Sequence, residues 1–167
     1  MADTKVGGIM VSDGRALLRV QAVPNRLDAP GIIFFNLGRS GINIELMAQT
    51  ADLDGTSSFS LVVAQSSLSG ALSLLQELKA ELGAEAVSYV PDVSVVSIFG
   101  PHLREKPKIP GMMFAAIASM GVAALAISTS ISSVSCVLES VHLNPALEVL
   151  EETFDVQYKV HKRAKDW

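Results

Sequence analysis

The sequence is poor in the residues that build disulfide-bonded, metal-binding or nucleic-acid-binding proteins. Its 167 residues include one cysteine, Cys136, so an intrachain disulfide is impossible. The net charge is −4, and the one basic cluster, at residues 159–167, is short. A surface without a basic face argues against a nucleic-acid partner. The three histidines lack the spacing of metal ligands. We therefore predict no metal, no cofactor and no nucleic acid.

Catalytic and secretory signatures are also missing. We find no Gly-rich phosphate-binding loop, no acid–base pair and no triad-like set of residues. The first ten residues, MADTKVGGIM, lack the basic region and the long apolar region of a signal peptide. We expect a chain that has no catalytic activity of its own and that resides in the cytoplasm.

Charge is absent from one long segment, Pro110 to Leu138. About 20 mostly apolar residues suffice to cross a bilayer, so a membrane span is one interpretation. However, residues 128–135 carry six hydroxyl side chains, and Gly121 interrupts the segment. These features favour a helix, a turn and two short strands over a continuous membrane helix. We therefore predict no membrane segment.

The uncharged segment is the second copy of an internal repeat. PGIIFFNLGRSG, starting at Pro30, matches PGMMFAAIASMG, starting at Pro110, and the first copy carries charges where the second has none. Hydrophobic periodicity and turn residues predict the order β-α-β-β-α-β in each copy. This order predicts an α+β protein: two ferredoxin-like βαββαβ domains packed side by side, with antiparallel sheets and helices on one face. Open strand edges favour pairing between chains, so we expect a homodimer.

Two turns are predicted inside the strand-rich regions. KVGGIMVS is predicted as a first strand, ended by a turn at SDGR, and residues 15–24 as a second strand. Pro91 predicts a break between a strand at EAVSYVPDV and the next at VSVVSIFG. The Asp54–Gly55 pair predicts a hairpin turn, and Gly83 predicts the end of a helix that begins near Leu68.

An ordered set of motifs extends over nearly the whole chain: VGGI, VQAVPNR, PGIIF, GINIELMAQT, DGTSSFSL, ELGAEAVSYVPDVSVVSIFG and AISTSISSVSCVL. Together they resemble the tandem ACT-domain regulatory region of aspartate kinases. The resemblance implies an ACT domain at residues 14–91 and a second at residues 1–13 plus 92–167, with the first strand paired in the second domain. It also implies a kinase catalytic domain ahead of residue 1, which this sequence does not contain. We therefore expect a regulatory piece, a separate regulatory subunit that could partner an aspartate kinase catalytic chain, or a free-standing relative.

The resemblance further implies an allosteric amino-acid sensor that binds lysine or threonine at interfaces between ACT domains and controls the lysine, threonine and methionine biosynthetic pathway. The ligand's carboxylate requires N–H donors, which the starts of the helices near Gly31 and Gly111 supply. Its ammonium requires oxygen acceptors. The candidate ligand-binding residues are Asn25, Asp28, Gly31, Ile32, Asn43, Gln49, Asp52, Gly111, Ser128, Thr129 and Ser130.

Several of these residues have structural alternatives. Gln49 could be a polar residue that bonds the backbone at a strand end, Gly31 could serve packing at the helix start, and residues 128–130 could pair across an interface. The chain also departs from the family pattern, because Leu-Asp-Ala is inserted before Pro30 and the second copy lacks two family acids, at Leu125 and Ile131. A lysine-like ligand should therefore prefer the first copy, which keeps Glu45 and gains Asp52 nearby. The alternative function is an ACT module that has lost its ligand and serves dimerisation or assembly.

Overall fold

The computed structural model describes residues 4–101 and 103–162 and divides the chain into two compact units. Unit 2 comprises Gly14–Asp92, and unit 1 comprises Met1–Asp13 and Val93–Trp167. The side chains of the basic cluster at residues 159–167 lie outside the described part. Two long strands are β1 (Lys5–Pro24) and β4 (Ala86–Phe99). Each of them belongs to unit 1 over one half of its length and to unit 2 over the other half.

Unit 2 contains α1 (Ala29–Arg39), β2 (Leu46–Ala51), β3 (Thr56–Ala64) and α2 (Leu68–Leu82), besides its halves of β1 and β4. Its strand order is β2-β3-β1-β4. β3 pairs antiparallel with both neighbours, with Leu61 opposite Leu18 in β1 and Phe59 opposite Gln49 in β2. A β-bulge lies between Val20 and Val23.

The core of unit 2 lies between its two helices and one face of its sheet. Buried residues of α2 recur at 71, 75, 78 and 82, the spacing of one helix face, and pack against Ile33 and Leu37 of α1 and Phe59 and Leu61 of β3. Gly83 ends α2 in the left-handed conformation (φ 68°), as predicted.

Unit 1 contains α3 (Ile109–Ser119), β5 (Ala126–Thr129), β6 (Ser133–Glu139), α4 (Leu143–Thr153) and β7 (Asp155–Lys162), besides its halves of β1 and β4. Its strand order is β7-β1-β4-β6-β5. β1 pairs in parallel with β7, whereas β6 pairs antiparallel with β4 and β5. The predicted α+β class is confirmed, with antiparallel pairing and four α-helices among the described residues.

The uncharged segment forms α3, a turn at Gly121 (φ 72°), β5 and β6, as predicted. Several of its apolar side chains are buried in the core of unit 1 together with Ile9, Ile98 and Leu150; they include Met113, Ile117, Val134, Cys136 and Leu138. Ile127 and Ile131 of the same segment are 47% and 71% exposed. No helix in residues 4–101 and 103–162 is long and apolar enough to cross a membrane. Burial within unit 1 therefore accounts for the missing charges in α3 and β6, but not for those in residues 121–132, of which none is buried.

The predicted turn at SDGR is wrong, as is the predicted break at Pro91. β1 is continuous because residues 5–11 pair with β7 and residues 15–24 pair with β3. Gly14 adopts φ 65° without ending the strand. β4 continues through Pro91 because residues 86–92 form an edge of the unit 2 sheet, where a missing N–H is tolerated. Asp92, in the left-handed region at φ 51°, marks the change of unit.

Candidate functional site

Two loops meet at the end of the unit 2 sheet where β1 ends and α1 begins. The backbone N–H of Asn25 donates to the carbonyl of Gly55 (2.9 Å), which joins the loop after β1 to the turn between β2 and β3. That turn is the predicted Asp54–Gly55 hairpin turn, with Gly55 at φ 82°. The Asp54 carboxylate accepts from the backbone N–H (3.0 Å) and the hydroxyl (2.7 Å) of Thr56 and thereby fixes the turn.

A neutral hydrogen-bond network connects these loops to the sheet. The Ser57 hydroxyl donates to Oδ1 of Asn25 (2.7 Å) and accepts from Nε2 of Gln49 (3.5 Å). Ser57 is buried, with 4% exposure, whereas Asn25 and Gln49 are exposed. Gln49 and Ser57 share the sheet face that carries Phe59 and Leu61, which is the face that packs against α1 and α2. Asn25 and Gln49, both predicted site residues, therefore lie together at the Asn25 end of the sheet, and Gln49 lies on the face that the helices cover.

An ion pair occupies the loop before α1. Nε of Arg26 donates to Oδ1 of Asp28 (2.9 Å), Nη2 donates to Oδ2 (2.7 Å), and Nη1 donates to the carbonyl of Glu81. The hydrogen bond from Arg26 is the main reason why the pKa of Asp28 lies below its ordinary value. Asp28 occupies the N-cap position of α1, but its side chain makes no capping hydrogen bond. Its carboxylate binds Arg26 instead.

The remaining predicted residues of unit 2 divide between the two ends of the sheet. Gly31 and Ile32 lie in the first turn of α1, at the Asn25 end; a Cβ on Gly31 would meet no atom within 4 Å, so packing does not require glycine there. Asp52 is exposed in the hairpin turn. Asn43 lies before β2, at the end of that strand opposite Gln49, and is therefore not brought to the Asn25 end.

Unit 1 contains the other predicted residues. Gly111 is exposed in the first turn of α3, which begins after Lys108. Ser128 and Thr129 end β5, opposite Ser135 and Val134 of β6. Ser130 forms the turn to β6. Its Oγ lies 2.8 Å from Oγ of Ser133 and accepts from the backbone N–H groups of Ser132 (3.3 Å) and Ser133 (3.1 Å). The hydroxyl of Ser130 is thus already used within the turn.

Sequence reasoning missed three residues that shape the site: Arg26, Ser57 and, at the other end of unit 2, Arg15. Ser57 could have been found, because alternation from Phe59 places this polar side chain on the buried face of β3. Arg15 is 6% exposed, and its guanidinium pairs with Glu45. The Glu45 carboxylate, considered above as a ligand-binding acid, is therefore engaged in a buried ion pair. In the described residues, no group of three or more potential metal-ligating side chains occurs.

Comparisons with known proteins identify relatives of nearly the whole chain. Residues 96–154 match the ACT domain family. The aspartate kinase of Pseudomonas putida is 32% identical over 154 residues, and that of Stutzerimonas stutzeri is 30% identical over 154 residues. Both alignments cover 90% of this chain but 37% of the relative, so the chain spans little more than a third of these curated relatives.

Solved structures extend the likeness to the fold. The regulatory subunit of aspartate kinase from Thermus thermophilus, in its ligand-free form, superposes with a TM-score of 0.83 at 26% identity. That match covers 91% of this chain and 100% of the subunit. A structure of aspartokinase alpha and beta subunits gives a TM-score of 0.82 at 25% identity, over 89% of this chain and 97% of the matched chain.

Proposed function

We propose that this chain, which resembles the regulatory region of aspartate kinases in sequence and fold, is an allosteric module that binds an amino acid. The observation that carries the proposal is the match to an isolated regulatory subunit over that subunit's entire length. The predicted resemblance to this family is confirmed. Because the chain spans 37% of the curated relatives, their kinase activity is not transferred to it.

Both units are proposed to be ACT domains, one at residues 14–91 and the other at residues 1–13 plus 92–167. The family match at residues 96–154 lies in unit 1. Unit 2 has the same order of elements along the chain, β-α-β-β-α-β, which supports the same interpretation there. Pairing of β1 with β7 supports a first strand that belongs to the second domain.

The proposed ligand is lysine or threonine, and the proposed role is feedback control of their biosynthesis in the cytoplasm. An amino-acid carboxylate would bind near the start of α1, where N–H groups and the positive end of the helix dipole favour an anion. The remaining polar groups of the ligand would meet the network of Asn25, Ser57 and Gln49 at the same end of unit 2. Asp52, Gly111 and residues 128–130 complete the proposed set.

A homodimer and a kinase catalytic chain are the proposed partners. Phe34 and Phe35 on α1 are 46% and 63% exposed, which supports an interface on this helix. The likeness to aspartokinase alpha and beta subunits supports a catalytic chain as the second partner. The ligand would regulate that chain by binding one arrangement of the ACT domains about 1–3 kcal/mol better than the other.

Calorimetric titration with a panel of free amino acids tests the proposal. Binding should saturate with lysine or threonine, and Gln49→Ala should weaken it at least five-fold because the variant removes an amide of the network. Gln76→Ala, which removes an exposed glutamine from α2, is the matched control and should bind as the wild type does. If no amino acid binds at millimolar concentration, the sensor proposal is wrong.

A dimerisation or assembly module without a ligand is the second candidate. It is favoured by one observation: Asp28, a predicted acceptor for the ligand's ammonium, is already paired with Arg26. This candidate predicts a dimer whose melting temperature does not respond to any amino acid, whereas a ligand that binds the folded state raises that temperature. Sedimentation analysis with and without the amino-acid panel separates the two functions.

A further inference from the structure

We propose that Gly14 and Asp92 form a paired hinge, through which unit 1 and unit 2 change their arrangement. This inference rests on the proposed function, since it names the place in the chain that would absorb a change in the arrangement of the two ACT domains. Three features of the backbone support it: where the chain passes between the units, which conformation it has there, and how firmly the neighbouring residues are held.

The chain passes between the units twice, and both passages lie inside a strand. At the first passage, β1 leaves unit 1 after Asp13 and enters unit 2 at Gly14. At the second passage, β4 leaves unit 2 after Asp92 and enters unit 1 at Val93. Because both passages consist of strand residues, a change of arrangement has to be absorbed by backbone dihedral angles within β1 and β4.

Each passage contains a residue in the left-handed region. Gly14 has φ 65° and Asp92 has φ 51°, whereas the φ of a strand residue is roughly −120° to −140°. One other described residue of these two strands, Ala22, has a positive φ, and it lies in the β-bulge between Val20 and Val23. Gly14 and Asp92, by contrast, coincide with the two passages between the units.

The residue types at the passages allow more than one backbone conformation. A Cβ on Gly14 would meet no atom within 4 Å, so packing does not require glycine there. Glycine adopts positive and negative φ about equally readily. Aspartate is several-fold enriched among the residues other than glycine that adopt a positive φ. Both residues can therefore exchange the left-handed conformation for an extended one at low cost, which is what a hinge requires.

The residues beside the passages are held firmly inside their own units. In unit 2, the guanidinium of Arg15 forms the buried ion pair with Glu45. In unit 1, Val93 and Ser94 are fully buried, and Oγ of Ser94 lies 2.8 Å from Oγ of Ser140. A change of dihedral angles is therefore confined to the passages, as in other hinges, where a few residues between rigid parts absorb the movement.

Both passages lie beside the same end of β3, so they can act together. Arg15, which follows Gly14, is opposite Ala64 in β3, and Gln65 is the next residue along the chain. Oε1 of Gln65 accepts from the backbone N–H of Asp92 (3.1 Å). This hydrogen bond is exposed, so water can replace it at little cost. Gln65 therefore holds Asp92 in the left-handed conformation without locking it there.

Distances between spin labels test whether the units move about this hinge. Arg39→Cys and Glu148→Cys place one exposed label in each unit, whereas Arg39→Cys and Glu81→Cys place both labels in unit 2. The native Cys136 is buried and does not compete for the label. We expect the distance distribution between the units to be at least twice as wide as the distribution within unit 2.

Gly14→Ala and Gly41→Ala are matched variants for the first passage. Gly41, in the turn before β2, has φ 70°, and a Cβ there would also meet no atom within 4 Å. Both variants should lower the melting temperature, because alanine is strained at a positive φ. Only Gly14→Ala should change the mean distance between the units, because residue 14 then favours the extended conformation.

Two variants test the second passage and keep the test decisive if Gly14→Ala folds poorly. Asp92→Val should also change the mean distance between the units, because a β-branched residue disfavours the left-handed conformation. Gln65→Ala should widen the distribution between the units and leave the distribution within unit 2 unchanged. If Gln65→Ala changes neither distribution, its role in holding Asp92 is overturned.

The results separate the hinge from the proposed function. If the distribution between the units is as narrow as the one within unit 2, or if neither Gly14→Ala nor Asp92→Val changes the mean distance, the units are joined rigidly and the hinge is overturned. The amino-acid sensor would still stand, because calorimetric titration tests it separately. If the hinge is observed but no amino acid of the panel binds, the sensor is refuted while the hinge remains.

Discussion

Glu45→Gln tests whether the ion pair between Arg15 and Glu45 stabilises unit 2. The two side chains are 8% and 10% exposed, so both charges have been transferred out of water. Arg15 lies in β1 and Glu45 immediately before β2, and the Glu45 N–H also donates to the carbonyl of Val62 in β3 (2.8 Å). The pair therefore connects the loop after α1 to the sheet.

The expected loss follows from the burial of the guanidinium. Removing one member of a buried ion pair costs about 3–5 kcal/mol, because the other charge stays buried. Glutamine keeps an oxygen that accepts from Nε of Arg15, and neither side chain is fully buried, so we expect the lower end, about 3 kcal/mol. For a chain of this size, about 3 kcal/mol lowers the melting temperature by roughly 6–12 °C.

Urea unfolding followed by circular dichroism measures this loss, and two variants serve as controls. Glu77→Gln removes an exposed carboxylate from α2 and should change the free energy of unfolding by less than about 0.5 kcal/mol. Arg15→Met combined with Glu45→Leu replaces the pair with apolar side chains and should recover most of the loss, since such exchanges are often close to neutral. A change below about 1 kcal/mol for Glu45→Gln would refute the reasoning.

Three further predictions concern packing, thiol chemistry and pH. A Cβ on Gly7 would lie 2.8 Å from a backbone oxygen, so Gly7→Ala should lower the melting temperature. A Cβ on Gly38, inside α1, would meet no atom within 4 Å, so Gly38→Ala should stabilise the protein by up to about 1 kcal/mol. Differential scanning calorimetry of the two variants measures both effects. Burial raises the pKa of the Cys136 thiol to about 12, so a thiol reagent at pH 8 should label this cysteine only after denaturation. Labelling of Cys136 in the native protein would contradict the prediction. The hydrogen bond from Arg26 holds the pKa of Asp28 below the ordinary value of an aspartate in the folded state. The stability that this pair contributes should therefore be fully present above that ordinary value and be lost as the pH falls through the lowered pKa, so acid titrations of the wild type and Asp28→Asn should converge at low pH.

The fold was largely predictable because its signals are local. Hydrophobic spacing and Gly83 predicted α2, and the Asp54–Gly55 pair predicted the hairpin turn. The continuity of β1 was not predictable in the same way, because Ser12–Arg15 has the composition of a turn. Hydrogen bonds from β7 and β3, which are distant in sequence, hold that segment extended on either side of Gly14. Tertiary pairing therefore overrode the local signal.

The sequence predicted that Asn25 and Gln49 belong to one site, but it did not predict how the charges near them are paired. That Asn25 and Gln49 contact an amino acid remains a prediction, but hydrogen bonds to Ser57 do bring these two residues together. The sequence also offered Asp28 and Glu45 as acceptors for an ammonium group. Which cation each carboxylate pairs with depends on side-chain geometry that no spacing rule supplies. Both acids turned out to be paired with arginines, Asp28 with Arg26 and Glu45 with Arg15.

The Leu-Asp-Ala segment before Pro30 links the sequence of this loop to the pairing of its charges. This segment contains Asp28, whose carboxylate binds Arg26 two residues earlier, and the same arginine donates to the carbonyl of Glu81 in α2. The carboxylate of Asp28, a predicted counterion for a ligand, is thus paired with an arginine of its own loop. In unit 1, Lys108 stands at the start of α3, and the ammonium of Lys106 donates to the carbonyl of Lys5 (2.6 Å). The two copies of the repeat therefore present different charges at the same structural position, and selectivity for a ligand can differ between them without any change of fold.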